Sequence, residues 1–298
     1  MRKILFIPQR GIGDLIHALP LMNSIKEGIR DSRIIIPIVD KRQEVDSYSF
    51  GNLFNGIVKF DYRKINNSFE EKRISLYRTK DFPERYKLDE EKRREFEREM
   101  YEYYLKGEKY DLAIVLRKFN LQGIDCEENL NLGDLKRLER EHVVDRNLRF
   151  ADILGIPRRY NFGLKVEKNI QDNKSRDIIF ILDAGRPNKK WNSEGYEEVA
   201  NFCSSKGYNP ILIKSKMDLE DFYIIAKKSK VVIGPDTGLT HLADASGTKV
   251  IGLYGPTRPY KFAPYNNRDL VISTNDSTKR VSDISSSQVI SKLENLLI

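Results

Sequence analysis

The sequence predicts an α/β chain built as two doubly wound domains. Three observations carry this. Short apolar runs recur along the chain, most of them closed by a turn containing Gly, Pro or Asp. Between them lie segments whose apolar residues return at helical spacing. This alternation stops once, in a polar, mixed-sign stretch from 158 to 176, and then restarts. The 298 residues suit two domains of about 150 residues each. The join is placed so that residues 1–160 form one domain and 161–298 the other. The last helix is free to pack back on the first domain.

The elements follow in order. Lys3 to Pro8 (KILFIP) is a short apolar run that reads as a buried strand. The turn Gln9 to Asp14 follows, and then Leu15, Ile16, Ala18, Leu19, Met22 and Ile25 recur at helical spacing. Asp14 sits where a helix N-cap belongs. Ile34 to Val39 completes a strand–helix–strand unit, whose strands must be parallel. Ile57 to Phe60 reads as a third strand. From Arg63 to Lys109 the chain holds 14 basic and 12 acidic residues among good helix formers. Tyr110 to Leu116 (YDLAIVL) is a further buried strand. His142 to Leu154 is a helix, closed by Gly155-Ile156-Pro157.

In the second half, Asp177 to Leu182, Pro210 to Ile213, Val231 to Ile233 and Lys249 to Tyr254 read as strands, with Leu270 to Ile272 as a last short one. Helices are predicted over 193–206, 219–228, 239–245 and 287–297, the first capped by Ser193. In such sheets ligands bind outside the carboxyl ends of the strands. Two facing domains would make a cleft, so the turns after the strands are where chemistry is sought.

Composition removes several classes. Forty per cent of residues are apolar and ten per cent aromatic, enough for real cores and too much for a disordered chain. Cys126 and Cys203 are the only cysteines, one per half, which excludes a disulfide framework and a zinc site built on cysteine pairs. They read as reduced thiols of a cytoplasmic protein. Mean hydropathy is −0.54, and no run approaches the roughly 18 apolar residues of a membrane span. The start MRKILFIP turns polar too soon for a signal peptide core. Net charge is +8, spread as +3 over residues 1–150 and +5 over the rest. An anionic partner fits this surplus. A nucleic acid does not, because nothing concentrates the charge on one element.

Three turns carry residues suited to chemistry. Gly11-Ile12-Gly13-Asp14 joins a strand to a helix, and its glycines allow close approach of a ligand. It is not the G-x-G-x-x-G dinucleotide fingerprint. Asp14 either caps the helix or serves as a general base. Asp183 to Trp191 (DAGRPNKKW) places Arg186, Lys189 and Lys190 on one short loop, a set that suits a diphosphate. Trp191, the single tryptophan, reads as packing that loop onto the body. Gly234 to His241 (GPDTGLTH) ends a strand and starts a helix, whose free N–H groups attract phosphate. There the competing reading is a cap at Asp236 with a packed histidine.

Taken together, the segments KILFIPQRGIGDLIHALPLMNSIK, NKKW and GPDTGLTHLADASGTKVIGLYGPTRPYKFAPY resemble glycosyltransferase family 9, the ADP-heptose–lipopolysaccharide heptosyltransferases. The D-T-G-L-x-H-L stretch followed by G-P-T is the most specific part, and G-D-x-x-H-x-L-P is second. YDLAIVLR and EHVVDRNLRFADILG also resemble the family. The likeness touches roughly half of the chain and leaves out 63–109 and 155–175.

The resemblance implies a GT-B fold of two Rossmann-like domains, the first for acceptor and the second for a nucleotide sugar. It implies inverting, metal-independent transfer of a heptose-like sugar from a nucleotide diphosphate donor, ADP-linked, to a glycan or glycolipid. No cofactor beyond that donor is implied. Asp14 falls on the family's catalytic base and Lys189 on its phosphate-binding lysine. Asp236, Thr237, Gly238, Leu239 and His241 fall on its donor-contacting set. Arg10, Gly13, His17 and Arg186 are taken as substrate-binding. The expected location is the cytoplasm, with peripheral contact at the inner face of the membrane. Two departures stand out. The chain runs from Ile213 through Lys214, Ser215, Lys216 and Met217 almost directly into the Leu219 helix, where family members place a Gly-rich loop, a helix and a strand. The charge-rich 63–109 segment replaces the usual acceptor-side region. Alternative readings are a nucleotide-sugar-binding protein without turnover and a sugar-nucleotide epimerase.

Overall fold

The computed structural model describes residues 1–9, 11–38, 53–54, 57–62, 90–117, 124–136, 138–166, 174–214, 217–274, 276 and 279–297. The chain divides into two compact units. The first comprises Met1–Gln9, Leu21–Arg137 and Arg149–Arg159, and the second Arg10–Pro20, Leu138–Leu148 and Tyr160–Ile298.

In the first unit, β1 (Arg2–Ile7), β2 (Ser32–Ile38), β3 (Lys59–Tyr62), β4 (Lys109–Val115) and β5 (Asp125–Asn131) form one sheet in the order β3-β2-β1-β4-β5. Every pairing is parallel. The buried runs of β1 and β4 lie at its centre, as strands covered on both faces must. Leu5, Ile7, Ala113 and Val115 pack with Met100, Tyr101 and Leu105 from α2 (Glu90–Leu105). β3 starts two residues later than the Ile57–Phe60 run predicts. β5 (DCEENLN) is not legible from hydrophobicity. It is an edge strand, where charged side chains are tolerated, and Asp125 pairs with Lys109 of β4 at 3.6 Å.

In the second unit, β6 (Asp177–Ile181), β7 (Asn209–Ile213), β8 (Val231–Pro235), β9 (Lys249–Tyr254) and β10 (Ile272–Ser273) form a second parallel sheet in the order β10-β9-β8-β6-β7. Counted within the unit this is the 2-1-3-4-5 order, whose switch point lies between β6 and β8. A ligand is expected outside the carboxyl ends of those two strands. The linking helices are α4 (Ser193–Ser205), α5 (Leu219–Lys228), α6 (Gly238–Ala245) and α7 (Pro259–Phe262). The terminal helix α8 (Ser286–Leu297) lies in this second unit, with Val289 and Leu293 buried beside Tyr196, Val199 and Cys203 of α4.

One cap differs from the sequence reading. α4 is capped by Asn192, whose side chain accepts from the Gly195 N–H at 2.5 Å, and not by Ser193. Both types can cap, and only Asn192 has the extended backbone. β7 ends at Ile213 and α5 starts at Leu219, capped by Asp218. Lys214 is described there, while Lys216 lies outside the described residues. Among the described residues no helix is long and apolar enough to cross a membrane.

Candidate active site

The loops after β6 and β8 meet through one carboxylate. Lys189 ends the short 3-10 turn Pro187–Lys189, and Asp236 directly follows β8. The Lys189 Nζ lies 2.5 Å from Asp236 Oδ2, and His241 Nε2 donates to Asp236 Oδ1 at 3.1 Å. Both oxygens of Asp236 are therefore engaged. The side chains of Lys189 and Asp236 are 20% and 12% exposed, so the pair is largely shielded from water. Burial pushes the Asp236 carboxyl up, but the hydrogen bond and charge of His241, and then those of Lys189, hold it well below the usual carboxylate range.

Asp236 does not cap α6. Thr237 does, with its hydroxyl accepting from the Thr240 N–H at 3.5 Å, while the Thr240 hydroxyl donates to the Pro235 carbonyl at 2.5 Å. This leaves Asp236 beside the start of α6, where helix N–H groups lack intrahelical partners and the dipole is positive. Leu239 is buried. Its side chain is packing, so its part in a site is limited to the backbone. Arg186 is exposed on the same loop, and Lys190 pairs with Asp183 at 2.9 Å. Trp191 anchors the loop: its Nε1 donates to the Ile284 carbonyl at 2.8 Å and its ring meets Tyr196 edge to face.

The Gly11–Asp14 turn belongs to the same unit and packs on this arrangement. A Cβ on Gly13 would lie 2.8 Å from His241 Cδ2, and one on Gly238 would lie 2.7 Å from Ile12 Cβ. Only glycine permits either approach. α1 (Ile12–Gly28) opens one residue after Gly11. Asp14 is its third residue, and its Oδ2 accepts from the Gly11 N–H at 2.9 Å. That is the backward reach of a capping box. Asp14 is therefore not the N-cap that its place in the sequence suggests: the helix already opens at Ile12, Gly11 holds the cap position, and Asp14 reaches back to it from the first turn. Arg10 lies outside the described residues.

The three histidines of the chain converge here. His17 lies 4.3 Å from His241 and 5.6 Å from His142, ring centre to ring centre. His142 directly precedes α3 (Val143–Ile153), and its Nδ1 accepts from the Val144 N–H. Its Nε2 must then carry the proton given to the Ala263 carbonyl at 3.0 Å. Burial lowers His142 to about 4 despite that bond. Burial, and then the neighbouring His241 and His142, hold His17 well below its ordinary value. Neither nitrogen of His17 has a hydrogen-bond partner, and His241 Nδ1 has none.

Two neighbours carry no sequence signal of their own. Arg146 of α3 faces Asp14: burial lowers its pKa, and the charge of Asp14 is the largest influence opposing this. Asn147 donates to the His17 carbonyl at 3.3 Å. Both lie in the EHVVDRNLRFADILG helix, where they look like ordinary solvated positions. Asp145 is held by the Tyr265 hydroxyl at 2.5 Å and Arg268 at 3.0 Å, with the Arg268 guanidinium over the Tyr265 ring. Among the described residues no group of three or more His, Cys, Asp or Glu side chains is placed to hold a metal.

Residues 210–289 match the family model of glycosyltransferase family 9 (heptosyltransferase). The resemblance to glycosyltransferase family 9 holds. The chain is 30% identical to the lipopolysaccharide core heptosyltransferase OpsX of Haemophilus influenzae, over 44% of this chain and 48% of that protein. It is 29% identical to lipopolysaccharide heptosyltransferase 1 of Escherichia coli K12, over 44% of this chain and 40% of that one. The match thus spans about half the length of these curated relatives or less. The fold is that of E. coli heptosyltransferase WaaC with ADP, with a TM-score of 0.70 at 16% identity, covering 99% of both chains. The chain is heptosyltransferase-like in sequence and GT-B in fold.

Proposed function

We propose that the chain is an inverting glycosyltransferase that moves a heptose-like sugar from a nucleotide diphosphate donor, ADP-linked, to a glycan or glycolipid acceptor. The observation that carries this is the convergence of Lys189, Asp236 and the start of α6 at the carboxyl ends of β6 and β8, with the Asp14 turn packed on it. In an α/β sheet that is the ligand position, and cations at a helix start suit a diphosphate. The likeness to OpsX and heptosyltransferase 1 supports a heptose as the transferred sugar and lipopolysaccharide as the acceptor. We propose the cytoplasm as the chain's location, with peripheral contact at the inner face of the membrane.

In this reading Asp14 accepts the proton of an acceptor hydroxyl as its oxygen attacks the anomeric carbon. The new C–O bond forms as the bond to the diphosphate oxygen breaks. The charge gathering on the leaving diphosphate is met by Lys189 and by the amides near Thr237 and Gly238. Asp236 orients the sugar hydroxyls, and His241 the sugar or the diphosphate. Arg146 supplies the positive charge that acts on Asp14 from α3.

The test is turnover. The protein is incubated with ADP-, UDP-, GDP- and CMP-linked sugars, with and without glycan acceptors, and the released nucleotide is measured. Acceptor-dependent release from an ADP-linked sugar is expected. Tight donor binding with no release under any condition would favour a binding protein without turnover, which the short Lys214–Asp218 connection would then explain.

A further inference from the structure

We infer that the Lys189–Asp236 ion pair makes this site prefer an intact nucleotide sugar to the free nucleoside diphosphate that transfer would release. The inference rests on the donor reading above and adds a source of specificity to it.

Asp236 spends Oδ2 on Lys189 at 2.5 Å and Oδ1 on His241 at 3.1 Å, and the carboxylate is 12% exposed. Little water is at hand to replace a lost partner. A diphosphate brought to the start of α6 competes with Asp236 for Lys189, the cation paired there. As the ammonium turns its bonds toward phosphate, its hold on Oδ2 of Asp236 weakens while further negative charge arrives nearby. Two anions in a shielded place repel strongly.

The two candidate ligands differ at this point. A nucleotide sugar brings hydroxyl groups, which are neutral donors able to take the place of Lys189 on Oδ2. It also carries one negative charge fewer on its outer phosphate, because that phosphate is esterified. A free diphosphate brings no donor and the extra charge. Lys189 can therefore change partners without leaving Asp236 bare only when the sugar is present. Once transfer has removed the sugar, the carboxylate again competes for Lys189, which favours release of the product.

Calorimetry of the whole chain tests this with two ligand pairs, ADP against ADP-heptose and UDP against UDP-glucose. For the pair that binds, the wild type should hold the nucleotide sugar about tenfold more tightly than the free diphosphate. Asp236→Asn removes the competing charge, so its affinity for the free diphosphate should rise about tenfold and the preference for the sugar should nearly vanish. An unchanged ratio in Asp236→Asn, or an equal loss for both ligands, would overturn the inference. Should the variant fail to fold, the wild-type comparison still decides: equal affinity for sugar nucleotide and free diphosphate refutes it. Binding of neither pair by folded wild-type protein would instead remove the donor reading itself, and this inference with it.

Discussion

Replacing Gly13 by alanine tests whether the Asp14 turn and the Asp236 cluster form one site. The added methyl would sit 2.8 Å from Cδ2 and 3.6 Å from Nε2 of His241. Carbon atoms pack at about 3.5–4.0 Å, so the imidazole must retreat by about 0.7–1.2 Å. His17 lies 4.3 Å away and constrains that movement. A displacement of that size is enough to carry the 3.1 Å bond to Asp236 outside hydrogen-bond range. Overpacking costs about 1–3 kcal/mol. Alanine returns at most about 1 kcal/mol of helix propensity. The expected net loss of stability is about 0–2 kcal/mol. The larger effect is on binding. With His241 displaced, Asp236 holds Lys189 more closely, and a lost charge-assisted bond of about 1.5–3 kcal/mol corresponds to a fall in ADP affinity of at least about tenfold. The assay is calorimetric titration with ADP, beside thermal unfolding. Gly133→Ala is the control, since nothing lies within 4 Å of its would-be Cβ. Wild-type ADP affinity and stability in Gly13→Ala would refute the reasoning.

Two further outcomes follow from the buried groups. His17 and His142 are held neutral, with folded pKa values below the unfolded value of about 6.5. The unfolded chain then binds more protons, so stability is full above about pH 6.5 and is lost as pH falls toward about 4, by up to about 1.4 kcal/mol per pH unit for each histidine. Urea midpoints at pH 7.5 and pH 5 measure this, and equal midpoints would contradict it. Trp191→Phe removes the indole N–H from the Ile284 carbonyl and should lower unfolding free energy by about 1–3 kcal/mol, read by the same titration. A change below about 0.5 kcal/mol would show that the bond contributes nothing net.

The sequence made the alternating elements legible because buried parallel strands are short apolar runs, and helices show their period. Lys189 and Asp236 were legible too, since each follows such a run in a turn. β5 was hidden because an edge strand has no need of apolar alternation, and DCEENLN has none. The cap at Asp236 was misplaced by one residue. Asp236 and Thr237 are both capping types, and the choice is made by Thr240, whose hydroxyl bonds Pro235 and whose N–H turns to Thr237. The convergence of His17, His142 and His241 could not be read at all. The three are far apart along the chain, and only the packing of two glycine turns brings α1 and α6 into contact. Arg146 was hidden for the same reason: Asp14, whose charge acts on it, is on another helix.

The central claim is that Asp14 removes the proton in a sugar transfer whose donor is held by Lys189 and Asp236. Asp14→Asn keeps the side chain's shape and its acceptor for the Gly11 N–H while removing its basicity. Single-turnover transfer to a glycan acceptor, measured beside donor affinity, tests the claim most directly. The account predicts donor affinity within about threefold of wild type and a transfer rate lower by about 10²–10⁴-fold. A variant that binds donor and transfers sugar at the wild-type rate would contradict it.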